Sequence, residues 1–138
     1  MITYLDASVI LRRVLGQPEQ IEWRALDATA SSSLTRVECL RTVDRLRMQR
    51  AVSDSNQMDL REALFAIFDT CSMLEVGSPV IERAAMPYPV VLKTLDAVHL
   101  ASALILQESS GESVRFATHD RALARASRAM GFEVVGAA

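Results

Sequence analysis

Leu95-Asp96-Ala97-Val98-His99-Leu100-Ala101-Ser102-Ala103-Leu104-Ile105-Leu106-Gln107 is apolar on nearly every helical face. A helix of this kind is normally buried in the middle of a fold. It is too short to span a membrane, which needs about 18 apolar residues, and no other run in the chain reaches that length. Asp96 sits in its first turn, and His99, Leu100 and Ala103 follow three, four and seven residues on, so its stripe leads into the core. A carboxylate there must be paired, hydrogen-bonded or metal-bound, because burying it alone is expensive. The plainer alternative is a favourable contact with the helix dipole, of about 0.3–1 kcal/mol.

The pattern extends outward from this helix in both directions. Downstream, 114–117 reads as a strand, 120–130 as a helix stopped by Gly131, and 132–135 as a closing strand. Upstream, Pro87 and Pro89 break the chain, Ser78-Pro79 opens a short helix, and 73–76 is a short strand. Leu60, Leu64, Ile67 and Phe68 share one face of a helix that starts at Asp54 or Ser55. A long helix is expected from about Thr35 to Arg50, since Leu34, Val37, Leu40, Val43 and Leu46 recur at roughly helical spacing. The small residues 28–33 suit a tight strand or turn, and Pro18 can open a short helix ending near Leu26. The opening Ile2-Thr3-Tyr4-Leu5 reads as a buried strand ending at Asp6, after which Ser8 can cap a helix to about Leu15, with Gly16 as its stop. Strands alternating with helices predict an α/β fold with a parallel sheet covered on both faces. In such sheets sites form at the carboxyl ends of strands, where Asp6 and Asp120 both fall.

The bulk properties bound the rest. A length of 138 residues predicts a single domain spanning 1–138, and 50% hydrophobic content is enough for a real core. The N-terminus lacks the basic start and cleavage site of a signal peptide, so a cytoplasmic protein with no membrane contact is expected. Cys39 and Cys71 form no Cys-x-x-Cys pair and the histidines are not at zinc-ligand spacing, so Cys39 reads as a buried thiol. A net charge of -2 argues against a plain nucleic-acid binder but not against a nuclease with an acidic metal site. Every basic residue except Lys93 is arginine, which suits bidentate contact with phosphate or carboxylate.

Each carboxylate has an ordinary explanation when taken alone. Asp6 and Asp120 can be helix N-caps, although Ser8 as a cap would free Asp6 for other work. Glu38 can pair with Arg41 at i+3 or be shielded by Arg45. Together, however, Asp6, Glu38, Asp96 and Asp120 each fall at a helix start or strand end. Their mutual repulsion is costly without a cation, and hard oxygen ligands suit magnesium or manganese.

Four segments then carry a family resemblance: Tyr4-Leu5-Asp6-Ala7-Ser8, Ser33-Leu34-Thr35-Arg36-Val37-Glu38, Leu95-Asp96-Ala97-Val98-His99-Leu100-Ala101-Ser102-Ala103, and Ala117-Thr118-His119-Asp120-Arg121-Ala122-Leu123. In this order, and over nearly the whole chain, they resemble the acidic motifs of PIN-domain ribonucleases, specifically the VapC-type toxins of bacterial toxin–antitoxin pairs. The resemblance implies a three-layer α/β/α fold with a central, mostly parallel sheet. It also implies hydrolysis of RNA that depends on Mg2+ or Mn2+, a homodimer, and a cognate antitoxin that blocks the site. On this reading Asp6 and Asp96 hold the main ion, and Glu38 and Asp120 complete the ligand set or orient water. Ser8 and Thr118 orient the carboxylates, and Arg36 and Arg121 are candidate RNA contacts. Thr118 stands near a place where some family members carry a further acid, which leaves one or two metal ions open.

His99 is assigned to packing or to orienting a neighbour rather than to acid–base chemistry, and His119 is expected to face solvent. Trp23, Phe65 and Phe68 are core residues or an apolar contact. Two rival functions remain: a degenerate PIN module that binds RNA or protein without cutting, and an aspartyl phosphoryl-transfer domain. The second is disfavoured because Asp6-Ala7-Ser8 lacks a second acid and Lys93 is the only lysine.

Overall fold

The computed structural model describes residues 1–137. Five strands form one sheet: β1 (Ile2–Leu5), β2 (Ala28–Ser32), β3 (Ser72–Leu74), β4 (Val114–Ala117) and β5 (Glu133–Val135), in the order β3-β2-β1-β4-β5. Each neighbouring pair is parallel, so the sheet is wholly rather than mostly parallel. The helices are α1 (Ala7–Val14), α2 (Ser33–Met48), α3 (Asp54–Thr70), α4 (Ser78–Ala84), α5 (Thr94–Ser110) and α6 (Arg121–Ala129).

Alternation along β1 divides the core. Tyr4 points to one face, where it packs with Leu100, Leu104, Phe116, Leu123 and Phe132 under α5 and α6. Leu5 points to the other, where it meets Val9, Ile10, Cys39, Val43, Leu64 and Phe68 of α1, α2 and α3. The result is three layers, helix–sheet–helix, as the pattern of elements predicts. α5 carries eight consecutive buried residues from Ala97 to Leu104, as its all-round apolar sequence requires. None of the helices among the described residues is long and apolar enough to cross a membrane.

The strand order has a direct consequence for function. From β1 the chain moves outward to β2 on one side, while β4 flanks it on the other. The connections therefore diverge at the carboxyl ends of β1 and β4, and the crevice at such a switch point is where α/β sheets bind ligands.

Three local expectations are corrected and one alternative is resolved. α1 is capped by Asp6 and not by Ser8: the Asp6 side chain accepts from Val9 N, and the Ser8 hydroxyl donates to the same carboxylate. Pro18 opens no α-helix; only a single 3-10 turn forms, at Trp23–Ala25, because 17–22 lack an apolar stripe to bury. The buried stripe of α2 is Thr35, Cys39 and Val43, while Val37 is 56% exposed. Phe68 is core and Trp23 is half-buried beneath Arg13, which leaves Phe65 as the exposed member of that aromatic trio.

Candidate active site

At the end of β1 the chain turns directly into α1, and this places Asp6 in the switch-point crevice with only 4% of its surface exposed. Its carboxylate is held from three sides. Oδ1 accepts from Ser8 Oγ (2.6 Å) and Val9 N (3.1 Å), and Oδ2 accepts from Thr118 Oγ1 (2.5 Å). Those hydroxyls are themselves fixed by the chain after β4: Ser8 Oγ accepts from His119 N (2.9 Å), and Thr118 Oγ1 accepts from Asp120 N (3.0 Å). Asp6 thus ties the start of α1 to the start of α6. Burial pushes its pKa up, and the hydroxyls of Ser8 and Thr118 pull it partly back.

Asp120 is the N-cap of α6, accepting from Leu123 N (2.8 Å), and it is exposed to solvent. Asp96 lies in the first turn of α5 and is half-buried. No described side chain donates a hydrogen bond to it. Partial burial raises its pKa first, and the negative charges of Asp120 and Asp6 raise it further, against a smaller opposing pull from His99 and Lys93. Asp6, Asp96 and Asp120 therefore share one electrostatic field. Glu38, one turn into α2, is partly buried and points at α5: its Oε1 lies 2.5 Å from Nε2 of the buried His99.

The fold brings Asp6, Asp96 and Asp120 within one another's electrostatic reach and sets Glu38 against His99, but among the described residues it does not close three carboxylates into a ready-made ligand cage. That arrangement fits magnesium, which usually keeps several waters and takes only one or two protein carboxylates directly. The donor set is all oxygen, Asp96 has no competing hydrogen-bond donor among the described residues, and the like charges around it would be relieved by a cation. The residues present fit a hard divalent ion.

Other expectations change. Arg41 pairs with Asp44 (3.0 Å), and Asp44 also receives Arg47, so the Arg41 partner proposed for Glu38 is replaced by His99. The Asp44 carboxyl is held below its ordinary range, chiefly by its hydrogen bond from Arg47. His119 does not simply face solvent: its Nδ1 donates to Gly136 O (2.9 Å), and its Nε2 is buried without a partner among the described residues. Arg36 is exposed with its guanidinium 5.5 Å from the Phe68 ring centre, and Arg121 opens α6 as an exposed residue.

Sequence reasoning missed Tyr4 and Ser32. The Tyr4 hydroxyl lies 3.0 Å from Ser32 Oγ and 2.9 Å from His99 Nδ1, wholly inside the protein. Tyr4 in the middle of an apolar strand was the available signal, because a buried phenol needs a partner.

With this geometry in place, the comparisons with known proteins are decisive. The family profile of the PIN domain matches residues 3–129. The chain belongs to the PIN-domain family. It is 30% identical over 129 residues to ribonuclease VapC47 of Mycobacterium tuberculosis, spanning 94% of this chain and 92% of that protein. The PIN fold is also evident against solved structures. FitAcB from Neisseria gonorrhoeae superposes with a TM-score of 0.71 at 22% identity, covering 97% of this chain and 96% of that one. A toxin–antitoxin complex from Klebsiella pneumoniae superposes with a TM-score of 0.65 at 17% identity, covering 88% and 90%. This PIN domain therefore has VapC ribonucleases as homologues and the α/β architecture its sequence motifs implied.

Proposed function

We propose that this PIN domain is a divalent-metal-dependent ribonuclease acting as the toxin of a toxin–antitoxin pair, with the 138 residues forming a single nuclease unit. The observation that carries the reading is the shared field of Asp6, Asp96 and Asp120 at the β1/β4 switch point, with Asp96 receiving no hydrogen bond among the described residues. The relationship to a VapC ribonuclease supplies the substrate class, RNA. The fold shared with a toxin–antitoxin complex supports a cognate antitoxin as partner. A homodimer fits the exposed apolar side chains Ile81, Met86, Val91 and Leu95, which fall between α4 and the start of α5.

In this reading Asp6 and Asp96 hold magnesium or manganese, directly or through water, and Glu38 and Asp120 complete the ligand set or orient the attacking water. A bound ion of this kind lowers the pKa of its water and neutralises charge on the scissile phosphate. Ser8 and Thr118 lock the Asp6 carboxylate in one orientation, so that its remaining lone pairs face the crevice. Arg36 and Arg121 offer guanidinium groups to the phosphate backbone of the RNA.

The test is to incubate the protein with total cellular RNA in magnesium, in manganese and in chelator, beside Asp96→Asn, and to map every new RNA end by sequencing. The reading predicts metal-dependent cuts that the variant lacks. No cuts above the variant, from a folded wild type that still binds metal, would transfer the assignment to a non-cutting PIN module.

A further inference from the structure

Glu38 sits on α2 and His99 on α5, 61 residues apart in sequence, yet His99 Nε2 lies 2.5 Å from Glu38 Oε1. The His99 ring is 3% exposed, so it is not a surface partner that happens to touch. Its other nitrogen is engaged as well: Nδ1 lies 2.9 Å from the hydroxyl of Tyr4, whose ring stands edge-on to it at 68°. That hydroxyl also lies 3.0 Å from Ser32 Oγ, which caps α2 by accepting from Thr35 N. One chain of hydrogen bonds thus runs from the cap of α2 through β1 and α5, and returns to Glu38 on α2.

The chain has a definite polarity available to it. Burial holds the Tyr4 phenol protonated far above its ordinary range, so it has one proton to give. The phenol gives that proton to Ser32 Oγ, and its oxygen is held against Nδ1 on the other side. At the opposite ring nitrogen the Glu38 carboxylate oxygen accepts from Nε2. The imidazole is held at both nitrogens, and the carboxylate has one oxygen fixed at Nε2. This is the arrangement by which a histidine fixed at one nitrogen sets the direction of a functional carboxylate at the other.

We infer that His99, itself set by Tyr4, is a positioning residue that fixes the Glu38 carboxylate so that only its second oxygen faces the metal and water side of the crevice. The inference rests on the ribonuclease reading of this rim. It separates His99 from catalytic residues: the imidazole touches neither RNA nor ion and acts only through Glu38.

The experiment is a double-mutant cycle in metal-supported RNA cleavage, with wild type, His99→Leu, Glu38→Gln and the double variant. His99→Leu is expected to lower kcat by about 10–100-fold with KM for RNA unchanged. The double variant is expected to be no worse than Glu38→Gln alone, because the imidazole has nothing left to position. Losses that multiply would overturn the inference while leaving the ribonuclease reading intact, and so would an unaffected His99→Leu. A wild type that cleaves nothing, or a Glu38→Gln variant with full activity, would instead remove the reading on which it rests. Should His99→Leu fail to fold, His99→Gln and His99→Asn replace it. Gln reaches Glu38 with an N–H near the Nε2 position and Asn does not, so Gln should restore activity and Asn should not. Equal activities of the two would overturn the inference.

Discussion

Asp6 and Asp96 are two aspartates on the same rim, and the fold treats them in opposite ways. Asp6 is almost wholly enclosed and receives hydrogen bonds from Ser8, Val9 and Thr118. Asp96 is half-open, receives none among the described residues, and faces the charges of Asp120 and Asp6. Both are raised in pKa with desolvation as the first cause, but the charged form of Asp6 is supported by hydrogen bonds from the polypeptide, whereas that of Asp96 has none among the described residues. The difference teaches that a carboxylate site can be half structural. One acid anchors the geometry, and the other is left without a hydrogen-bond donor among the described residues.

Removing the anchor is the largest perturbation. Asp6→Ala deletes the cap of α1, worth about 1 kcal/mol, and strips the part-buried Ser8 and buried Thr118 hydroxyls of their acceptor, at about 1–3 kcal/mol. Urea denaturation should report a loss of about 2–4 kcal/mol together with loss of RNA cleavage. A stability equal to wild type would mean that Asp6 is no more anchored than Asp96.

The same end can be disturbed without touching a carboxylate. Gly136 has φ +101°, and a Cβ there would stand 2.4 Å from the Thr118 carbonyl oxygen. Thr118 N also bonds Val135 O (3.0 Å), so the chain after β5 braces the residue that holds Asp6. Gly136→Ala should cost about 1–3 kcal/mol in thermal or urea unfolding and reduce cleavage, with metal still bound. Wild-type stability would show that this tail gives way without moving Thr118.

Asp96→Asn should act in the opposite direction. In chelator it removes a partly buried charge that repels Asp120 and Asp6, and should raise stability by about 0.5–1 kcal/mol after solvent screening. The same change should abolish the stabilisation that metal gives the wild type. The wild type in chelator should also respond to pH with a definite sign. Both aspartates have folded-state values above the ordinary carboxylate value, so the folded protein binds more protons than the unfolded chain between the two. Stability should therefore fall as pH rises from the ordinary range through the raised values and then level off, with a shallower fall in Asp96→Asn. A fall of equal slope in both proteins would remove Asp96 from this account.

The smallest effect sets the scale. Arg41→Ala breaks only the exposed pair with Asp44, leaves Arg47 in place, and should change stability by less than about 0.5 kcal/mol with cleavage unaltered. A marked loss of cleavage would restore Arg41 as the partner of Glu38.

The architecture was legible because it rests on local patterns. The apolar run in α5, the alternation of strands with helices, and the carboxylates at strand ends and helix starts are all visible in short windows. The partners of those carboxylates were not, since they depend on contacts that cross the sheet. Thr118 reaches Asp6 over 112 positions, and Tyr4 and Glu38 meet His99 over 95 and 61. Local reasoning therefore supplied local partners, giving Ser8 the cap of α1 and Arg41 the carboxylate of Glu38. It erred wherever a tertiary neighbour outcompeted a helical one. In α2 the periodicity was visible but its phase was not, because Val37 yields the buried face to Thr35, Cys39 and Val43.

The most direct test is a calorimetric titration of manganese into wild type and Asp96→Asn at neutral pH and low salt, with the fold of both verified beforehand. The account predicts saturable binding to the wild type, with loss or at least about tenfold weakening in the variant, because Asp96 is the acid left open for the ion. Equal affinity in the two proteins would contradict it and place any bound cation away from this rim.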